Sequence, residues 1–197
     1  MKDATLQLAA SAARLVVEEG LEYAGAKRKA ARALASRAAL PSSEAVEAEV
    51  RAYLALYCAE TQPAELRALR RLALRWMQRL AAFRPHLGGA VWRGTATRLS
   101  SLHMDLYCDD TKSMEITLIN LGIDYDSASL PGGHRSEPVP LLSLADHCHE
   151  LGETVTLHLA VRDLDDLRGA LKPDAVGRTW RGDASALRRL LDDEIAA

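Results

Sequence analysis

The sequence predicts an α+β protein. An N-terminal helical region, residues 1–85, is expected to pack on a small mixed β-sheet with flanking helices, residues 86–197. Ala, Leu, Arg and Glu dominate the first 85 residues at helical spacing, whereas apolar and polar residues alternate in several later stretches. The charge changes at the same place, from a net +5 before residue 86 to −7 after it, and all six histidines follow residue 85.

The composition places the chain among soluble globular proteins. It has 197 residues, of which 48% are hydrophobic and 26% charged. The sequence has no run of about 18 apolar residues, so no transmembrane helix is predicted. The N-terminus lacks the apolar block of a signal peptide. Three cysteines without short spacing argue against a disulfide framework. We therefore expect a cytoplasmic protein that does not bind a membrane.

Four helices are predicted in the first 85 residues, from apolar spacing and from Gly and Pro at their ends. They cover residues 5–19, 22–39, 43–57 and 63–83. The third is expected to be capped by Ser42 or Ser43. In the fourth, four apolar side chains recur at helical spacing, so we expect them to be buried; they are Leu69, Leu72, Trp76 and Leu80.

The remaining residues predict the strands and helices of a small sheet. Strands are expected at residues 89–93, 102–107, 123–129, 139–144 and 154–161. Helices are expected at residues 111–121 and 163–171, with a last helix capped by Asp183. Pro140 predicts that its strand lies at a sheet edge, and Pro131-Gly-Gly predicts a turn.

Two basic runs lie in the predicted N-terminal helices. One is Lys27, Arg28, Lys29 and Arg32, and the other is Arg67, Arg70, Arg71, Arg75 and Arg79. Such runs bind the phosphates of RNA or DNA, which gives one function hypothesis: a non-enzymatic adaptor that binds protein or nucleic acid through basic helices. The other interpretation is a solvated helix face whose arginine stems cover apolar surface. Its acidic partners would be Glu47, Glu49 and Glu65.

Residues 88–106 carry the clearest chemical signal. An apolar strand, Ala90-Val91-Trp92, leads to a glycine turn at Gly94-Thr95, and an alternating strand with Asp105 follows. This pattern resembles the signature of the nucleotidyltransferase superfamily, the DNA polymerase β-like group, over residues 86–170. Family members carry two acids spaced by two on the second strand. Here Asp105 matches the second acid, and His103 stands where the first belongs.

The resemblance implies a role for each of these residues. Gly94 and Thr95 would bind the phosphates of a nucleotide at a helix start, and Asp105 would be the catalytic acid. In the family, the paired acids and a third acid hold two Mg²⁺ ions during nucleotidyl transfer. The strand at residues 154–161 is expected beside the first pair, with His158 on the same face. Histidine is a poor Mg²⁺ ligand, so the set of catalytic acids is incomplete.

Three interpretations remain open for His103, Asp105 and His158. They form a site for a softer divalent metal, Zn²⁺, Fe²⁺ or Mn²⁺, or a nucleotide site that no longer catalyses, or an ordinary polar face of a half-buried sheet. The identity of any metal cofactor is therefore left open. With the resemblance, the sequence predicts a divergent nucleotidyltransferase-like protein that binds a nucleotide and has reduced or no transfer activity.

Two other groups of residues are weaker candidates. His147-Cys148-His149 is expected to be a loop with incidental histidines, because adjacent loop residues rarely all reach one metal. Cys108, beside Asp109 and Asp110, is expected to have a raised pKa. Finally, the segment Tyr-Ala-Gly-Ala-Lys-Arg-Lys-Ala-Ala from residue 23 resembles a set of proteobacterial proteins, which implies a bacterial source.

Overall fold

The computed structural model describes residues 2–35, 38–131, 138–173 and 177–196. The chain divides into two compact units. The helical unit comprises Met1–Leu66 and Thr95–Ser100, and the sheet unit comprises Arg67–Gly94 and Ser101–Ala197. The division of the chain into domains at residue 85, which composition suggests, stays a prediction.

Three helices build the helical unit: α1 (Lys2–Glu19), α2 (Tyr23–Ala33) and α3 (Ser43–Tyr57). Their buried core includes Leu8, Ala12, Ala13, Ala26, Ala30, Val46 and Val50. As expected, Ser42 caps α3, since its side chain accepts a hydrogen bond from the Ala45 N–H at 3.1 Å. Helix α2 is shorter than predicted because the backbone leaves the helical region at Ala35, which has a φ of 45°.

Helix α4 (Gln62–Arg79) begins in the helical unit and continues into the sheet unit. A short 3₁₀ turn, Ala81–Phe83, follows it. The predicted burial of its apolar side chains is confirmed, because all four are at most 4% exposed: Leu69, Leu72, Trp76 and Leu80. None of the described helices is long and apolar enough to span a membrane.

The sheet unit contains a five-stranded mixed sheet of strand order β1-β2-β5-β4-β3. Its strands are β1 (His86–Gly88), β2 (Leu102–Cys108), β3 (Asp126–Leu130), β4 (Val139–Cys148) and β5 (Glu153–Asp163). Only β2 and β5 pair in parallel among these strands. The helices of this unit are α5 (Gly89–Arg93), α6 (Lys112–Asn120) and α7 (Ala184–Ala196), with a 3₁₀ segment at Leu164–Gly169. The predicted α+β class with a small mixed sheet and flanking helices is confirmed.

The two faces of the sheet differ in chemistry. One face is buried and apolar, and it is formed by Leu102, Met104, Leu106, Leu142, Leu144, Leu157, Leu159 and Val161. The opposite face of β2 and β5 carries histidine, aspartate, tyrosine and arginine side chains. Alternation along both strands therefore separates an apolar core face from a face with polar side chains.

Three local predictions are wrong. Gly89–Arg93 is a helix rather than a strand, because the preceding β1 takes the place beside β2 and Gly89 then turns the chain with a φ of +66°. Strand β4 is not an edge. Its Pro140 pairs with β3 just before the pairing with β5 begins at Leu141, so the missing N–H breaks no bond to β5. His147 and Cys148 end β4 rather than forming a loop.

The end of the chain agrees with prediction. Asp183 caps α7, since its Oδ1 accepts a hydrogen bond from the Ala186 N–H at 2.8 Å. The predicted helix at residues 163–171 is a 3₁₀ segment, and its cap is Asp163, which accepts from the Asp165 N–H at 2.8 Å. The predicted turn at Pro131-Gly-Gly lies mostly outside the described residues, which resume at residue 138.

Candidate functional site

The polar face of the sheet unit consists of His103, Asp105 and Tyr107 on β2 with His158 and Arg162 on β5. The parallel register places His103 opposite His158 and Tyr107 opposite Arg162. Because side chains alternate along a strand, all five residues lie on one side of the sheet. The expectation that the strand of His158 lies beside that of His103 and Asp105, on the same face, is confirmed.

Asp105 is held by two arginines. Its Oδ1 accepts a hydrogen bond from Arg162 Nε at 2.7 Å, and its Oδ2 lies 3.0 Å from Arg181 Nη2. The Asp105 side chain is only 12% exposed, whereas the arginines are 27% and 31% exposed. Both carboxylate oxygens are therefore engaged by cations. Together, one carboxylate and two guanidinium groups give Asp105, Arg162 and Arg181 a net positive charge.

The ionisation of the neighbouring groups reflects this arrangement. Burial opposes the charge on Arg162, but the hydrogen bond and charge of Asp105 outweigh it and raise the pKa of Arg162. Burial, followed by the charge of Asp105, raises the pKa of Tyr107. The Tyr107 hydroxyl lies 3.5 Å from Arg181 Nη1. At neutral pH the Arg162 guanidinium is therefore charged, and the phenol of the buried Tyr107 is uncharged.

The two histidines of the polar face form a stacked pair. Their ring centroids are 4.9 Å apart, with 28° between the ring planes. His158 Nδ1 lies 2.9 Å from Ser143 Oγ on β4. His103 packs against Gly89, where an added Cβ would come within 3.3 Å of the imidazole Cδ2. Gly89 also has a positive φ of +66°, so a side chain here would strain the backbone in addition to crowding the imidazole.

This donor set does not fit Mg²⁺. The ion binds carboxylate oxygens at about 2.0–2.1 Å, so it would have to displace a guanidinium from Asp105. The two arginine charges also repel a divalent cation. Within residues 2–35, 38–131, 138–173 and 177–196, no three or more His, Cys, Asp or Glu side chains are grouped to hold a metal ion. The metal role of His103, Asp105 and His158 stays a prediction, as does catalysis by Asp105.

The glycine turn at Gly94-Thr95 differs from its expected form. Gly94 ends α5 in the left-handed region, at a φ of 81°, and its N–H bonds the carbonyl of Ala90. The expectation that a helix starts at Thr95 is therefore wrong. Thr95 belongs to the helical unit, is 2% exposed, and its Oγ1 is buried without a hydrogen-bond partner. The strand-to-helix transition instead occurs at Gly88 and Gly89.

Arg181 reaches the polar face from an irregular segment, residues 177–183, which we call the strap. Gly182 and Leu87 exchange two backbone hydrogen bonds of 2.9 Å, which attach the strap to the edge strand β1. Helix α5 holds the same segment, because Trp92 Nε1 donates to the Thr179 carbonyl at 2.9 Å and the Trp92 ring packs over Gly182. The position of Arg181 thus depends on the strap.

Six of the nine residues of the two basic runs contact partners within their own unit. Arg70 is 6% exposed; it pairs with Glu194 and donates to the Val91 carbonyl at 3.1 Å. In the same run, Arg67 donates a hydrogen bond to Glu194 and Arg71 forms an ion pair with Glu150. Arg79 lies over the Trp76 ring. The partners are thus not the predicted Glu47, Glu49 and Glu65. In the helical unit Lys27 and Lys29 bond Pro41 and Glu19. These contacts favour the packing interpretation over a nucleic-acid surface.

The weaker candidates remain weak. Burial, followed by the nearby carboxylates, raises the pKa of the Cys108 thiol as expected. The rings of His147 and His149 meet edge to face at 4.9 Å, and the intervening Cys148 is fully buried. Neither arrangement provides an activated nucleophile or a ligand cluster.

Sequence reasoning missed the two arginines that dominate the site. Arg162 could have been found, because it lies four residues after His158 on the same alternating strand. Arg181 could not, because no periodicity connects the strap to the sheet. Its place follows only from the tertiary contacts of Trp92, Leu87 and Gly182.

Comparison with known proteins gives a partial structural likeness only. No protein-family model matches the chain, and no curated protein matches it. Cid1 bound to the UTP analogue UMPNPP matches with a TM-score of 0.35 and 13% identity, over 59% of this chain and 36% of that chain. Cid1 bound to MgGTP, described as a poly(U) polymerase, matches with a TM-score of 0.37 and 14% identity, over 57% and 37%.

A third match, Cid1 with its short product ApU, has a TM-score of 0.36 and 14% identity over 60% of this chain and 37% of that chain. The chain spans a little over a third of the length of these structures. Because the overlap is partial and the identity low, function has to be argued from the side chains of this chain.

Proposed function

We propose that this chain is a nucleotidyltransferase-like protein that binds the phosphate groups of a nucleotide on its polar face and does not catalyse nucleotidyl transfer. The observation that carries the proposal is the double ion pair of Asp105 with Arg162 and Arg181. A two-metal mechanism needs carboxylate oxygens as metal ligands. Here both oxygens already face guanidinium groups, so the site lacks the ligands for transfer.

The same arginines are suited to an anionic ligand. A guanidinium has five N–H donors, and Arg162 uses only Nε toward Asp105. Its remaining donors can form charge-assisted bonds to phosphate oxygens, with Arg181 beside them. In this proposal the guanidinium groups supply the positive charge that metal ions supply in active relatives. His103 and His158 stack on each other on the same face of the sheet.

Two further parts of the proposal rest on the sequence. The motif resemblance alone proposes Gly94 and Thr95 as nucleotide contacts, independently of the polar face, and Thr95→Val, which replaces the buried hydroxyl with a methyl group, tests that role. A cytoplasmic location is proposed as well. It is supported by the three cysteines, which are all free thiols.

Replacing the arginines should weaken nucleotide binding. We expect Arg162→Gln and Arg181→Gln each to raise the dissociation constant for a nucleoside triphosphate about tenfold, since each removes a charge-assisted bond. Isothermal titration calorimetry with the four nucleoside triphosphates measures this. Arg71→Gln is the matched control, because Arg71 pairs with Glu150 away from the polar face. A transfer assay with labelled triphosphates and an oligonucleotide acceptor is run on the wild type.

The outcomes separate the two halves of the proposal. Equal affinity in both arginine variants and in the Arg71→Gln control would show that the nucleotide does not bind the polar face. Incorporation of label by the wild-type protein would show that transfer survives.

A further inference from the structure

A cleft of about 750 Å³ in the sheet unit lies outside the polar face. The end of α4, the segment leading into β1, the 3₁₀ segment after β5 and the start of α7 form its walls. Its volume is in the range of sites that hold drug-sized organic molecules. The proposed nucleotide site does not use it.

The lining of the cleft combines an apolar floor with a cationic rim. Met77, Leu167 and Leu171 provide apolar surface. The rim consists of three solvent-exposed basic side chains, Arg84, Arg168 and Lys172. The acid in the lining, Asp183, is already engaged as the cap of α7 through Ala186. The charge balance around the cleft is therefore positive, and the floor is suited to a hydrocarbon or aromatic body.

A buried polar group completes the lining. His86 is 6% exposed and lines the cleft. Its Nδ1 lies 2.8 Å from the carbonyl oxygen of Arg84, so Nδ1 carries the proton and donates. In this tautomer Nε2 is an acceptor, so it can only accept a hydrogen bond from an N–H or O–H of a ligand. The edge-to-face contact with Tyr107, with ring centroids 5.2 Å apart, fixes the orientation of the imidazole.

We propose that this cleft binds an organic anion: an apolar body on the Met77, Leu167 and Leu171 floor, with a carboxylate or phosphate ester at the basic rim. Three cations around one apolar floor distinguish this class of ligand from a neutral hydrophobic one, which would gain nothing from the rim. The lining includes none of the five residues of the polar face, although His86 contacts Tyr107, so nucleotide titration of the cleft variants tests whether the two sites act independently.

Fluorescence titration with two probes tests the proposal. Anilinonaphthalene sulfonate has an apolar body and an anionic group, and phenylnaphthylamine has the same body without the charge. In the double variant Arg168→Gln/Lys172→Gln we expect the sulfonate to bind about tenfold more weakly, with little change for the uncharged probe. The control is Arg71→Gln/Arg188→Gln, which removes two charges from exposed residues outside the cleft.

Competition then identifies the anionic group. Displacement of the sulfonate by decanoate indicates a carboxylate ligand, and displacement by phenyl phosphate indicates a phosphate ester. The proposal is overturned if the cleft variant and the control bind the sulfonate equally, or if neither competitor displaces it. Nucleotide titration of the same variants should match the wild type. This result separates a failure of the cleft proposal from a failure at the polar face.

Discussion

Replacing Trp76 with alanine is expected to lower the free energy of unfolding by about 3–5 kcal/mol. Trp76 is 4% exposed within the run of buried α4 side chains. Its Nε1 donates to Asp146 Oδ2 on β4 at 2.7 Å, which joins the helix to the sheet. The substitution therefore creates a cavity and also removes the hydrogen bond to a half-buried carboxylate. Urea denaturation followed by circular dichroism measures the change.

Two variants show which part of the Trp76 side chain matters. Trp76→Phe keeps an aromatic ring and loses the N–H, so we expect a smaller loss of about 1–2 kcal/mol. Trp180→Ala is the matched control, since Trp180 is 40% exposed and contacts Arg93 through its ring face. It should cost about 1 kcal/mol or less. An unchanged denaturation midpoint for Trp76→Ala would contradict its placement in the core.

A second large effect is expected at Gly182. A Cβ at this position would lie 2.0 Å from Cη2 of Trp92, so even alanine cannot fit without moving the indole. We expect Gly182→Ala to destabilise the protein by about 3 kcal/mol. It should also weaken nucleotide binding, because the strap places the adjacent Arg181 beside Asp105. Denaturation and calorimetric titration measure the two effects.

The control for this substitution is Gly169→Ala, because a Cβ at Gly169 would meet no atom within 4 Å. A double-mutant cycle with Trp92→Ala identifies the cause. If the clash with the indole dominates, Gly182→Ala should cost less than about 1 kcal/mol in the Trp92→Ala background. A wild-type stability for Gly182→Ala would show that the strap does not pack on Trp92.

Periodicity and capping residues made most elements of the fold predictable. The alternation at residues 102–107 and 154–161 predicted both strands of the parallel pair, and Ser42 and Asp183 marked two helix starts. Short elements were not predictable, because the apolar run at residues 89–93 is compatible with a strand or a helix. Strand pairing determines that residues 89–93 form a helix, because β1 already pairs with β2 and Gly89 then turns the chain into α5.

The candidate site was predictable only where it follows strand alternation. The shared face of His103, Asp105 and His158 follows from spacing along two strands and from their pairing. The ion pairs of Asp105 do not follow from spacing. Whether a carboxylate binds a metal ion or a guanidinium depends on the side chains that tertiary folding places beside it. Arg181 comes from the strap, 76 residues further along the chain than Asp105. The motif suggested a metal ligand, whereas the contacts describe a carboxylate that orients two arginines.

The central claim is that guanidinium groups, rather than metal ions, provide the positive charge that binds a nucleotide here. Calorimetric titration of the wild-type protein with a nucleoside triphosphate, in EDTA and then in excess Mg²⁺, Mn²⁺ or Zn²⁺, tests it most directly. We expect binding in EDTA, with a dissociation constant that each metal changes by no more than about twofold. Binding that occurs only with metal, or tightens about tenfold or more with it, would contradict the claim and restore Asp105 and its histidine neighbours as metal ligands.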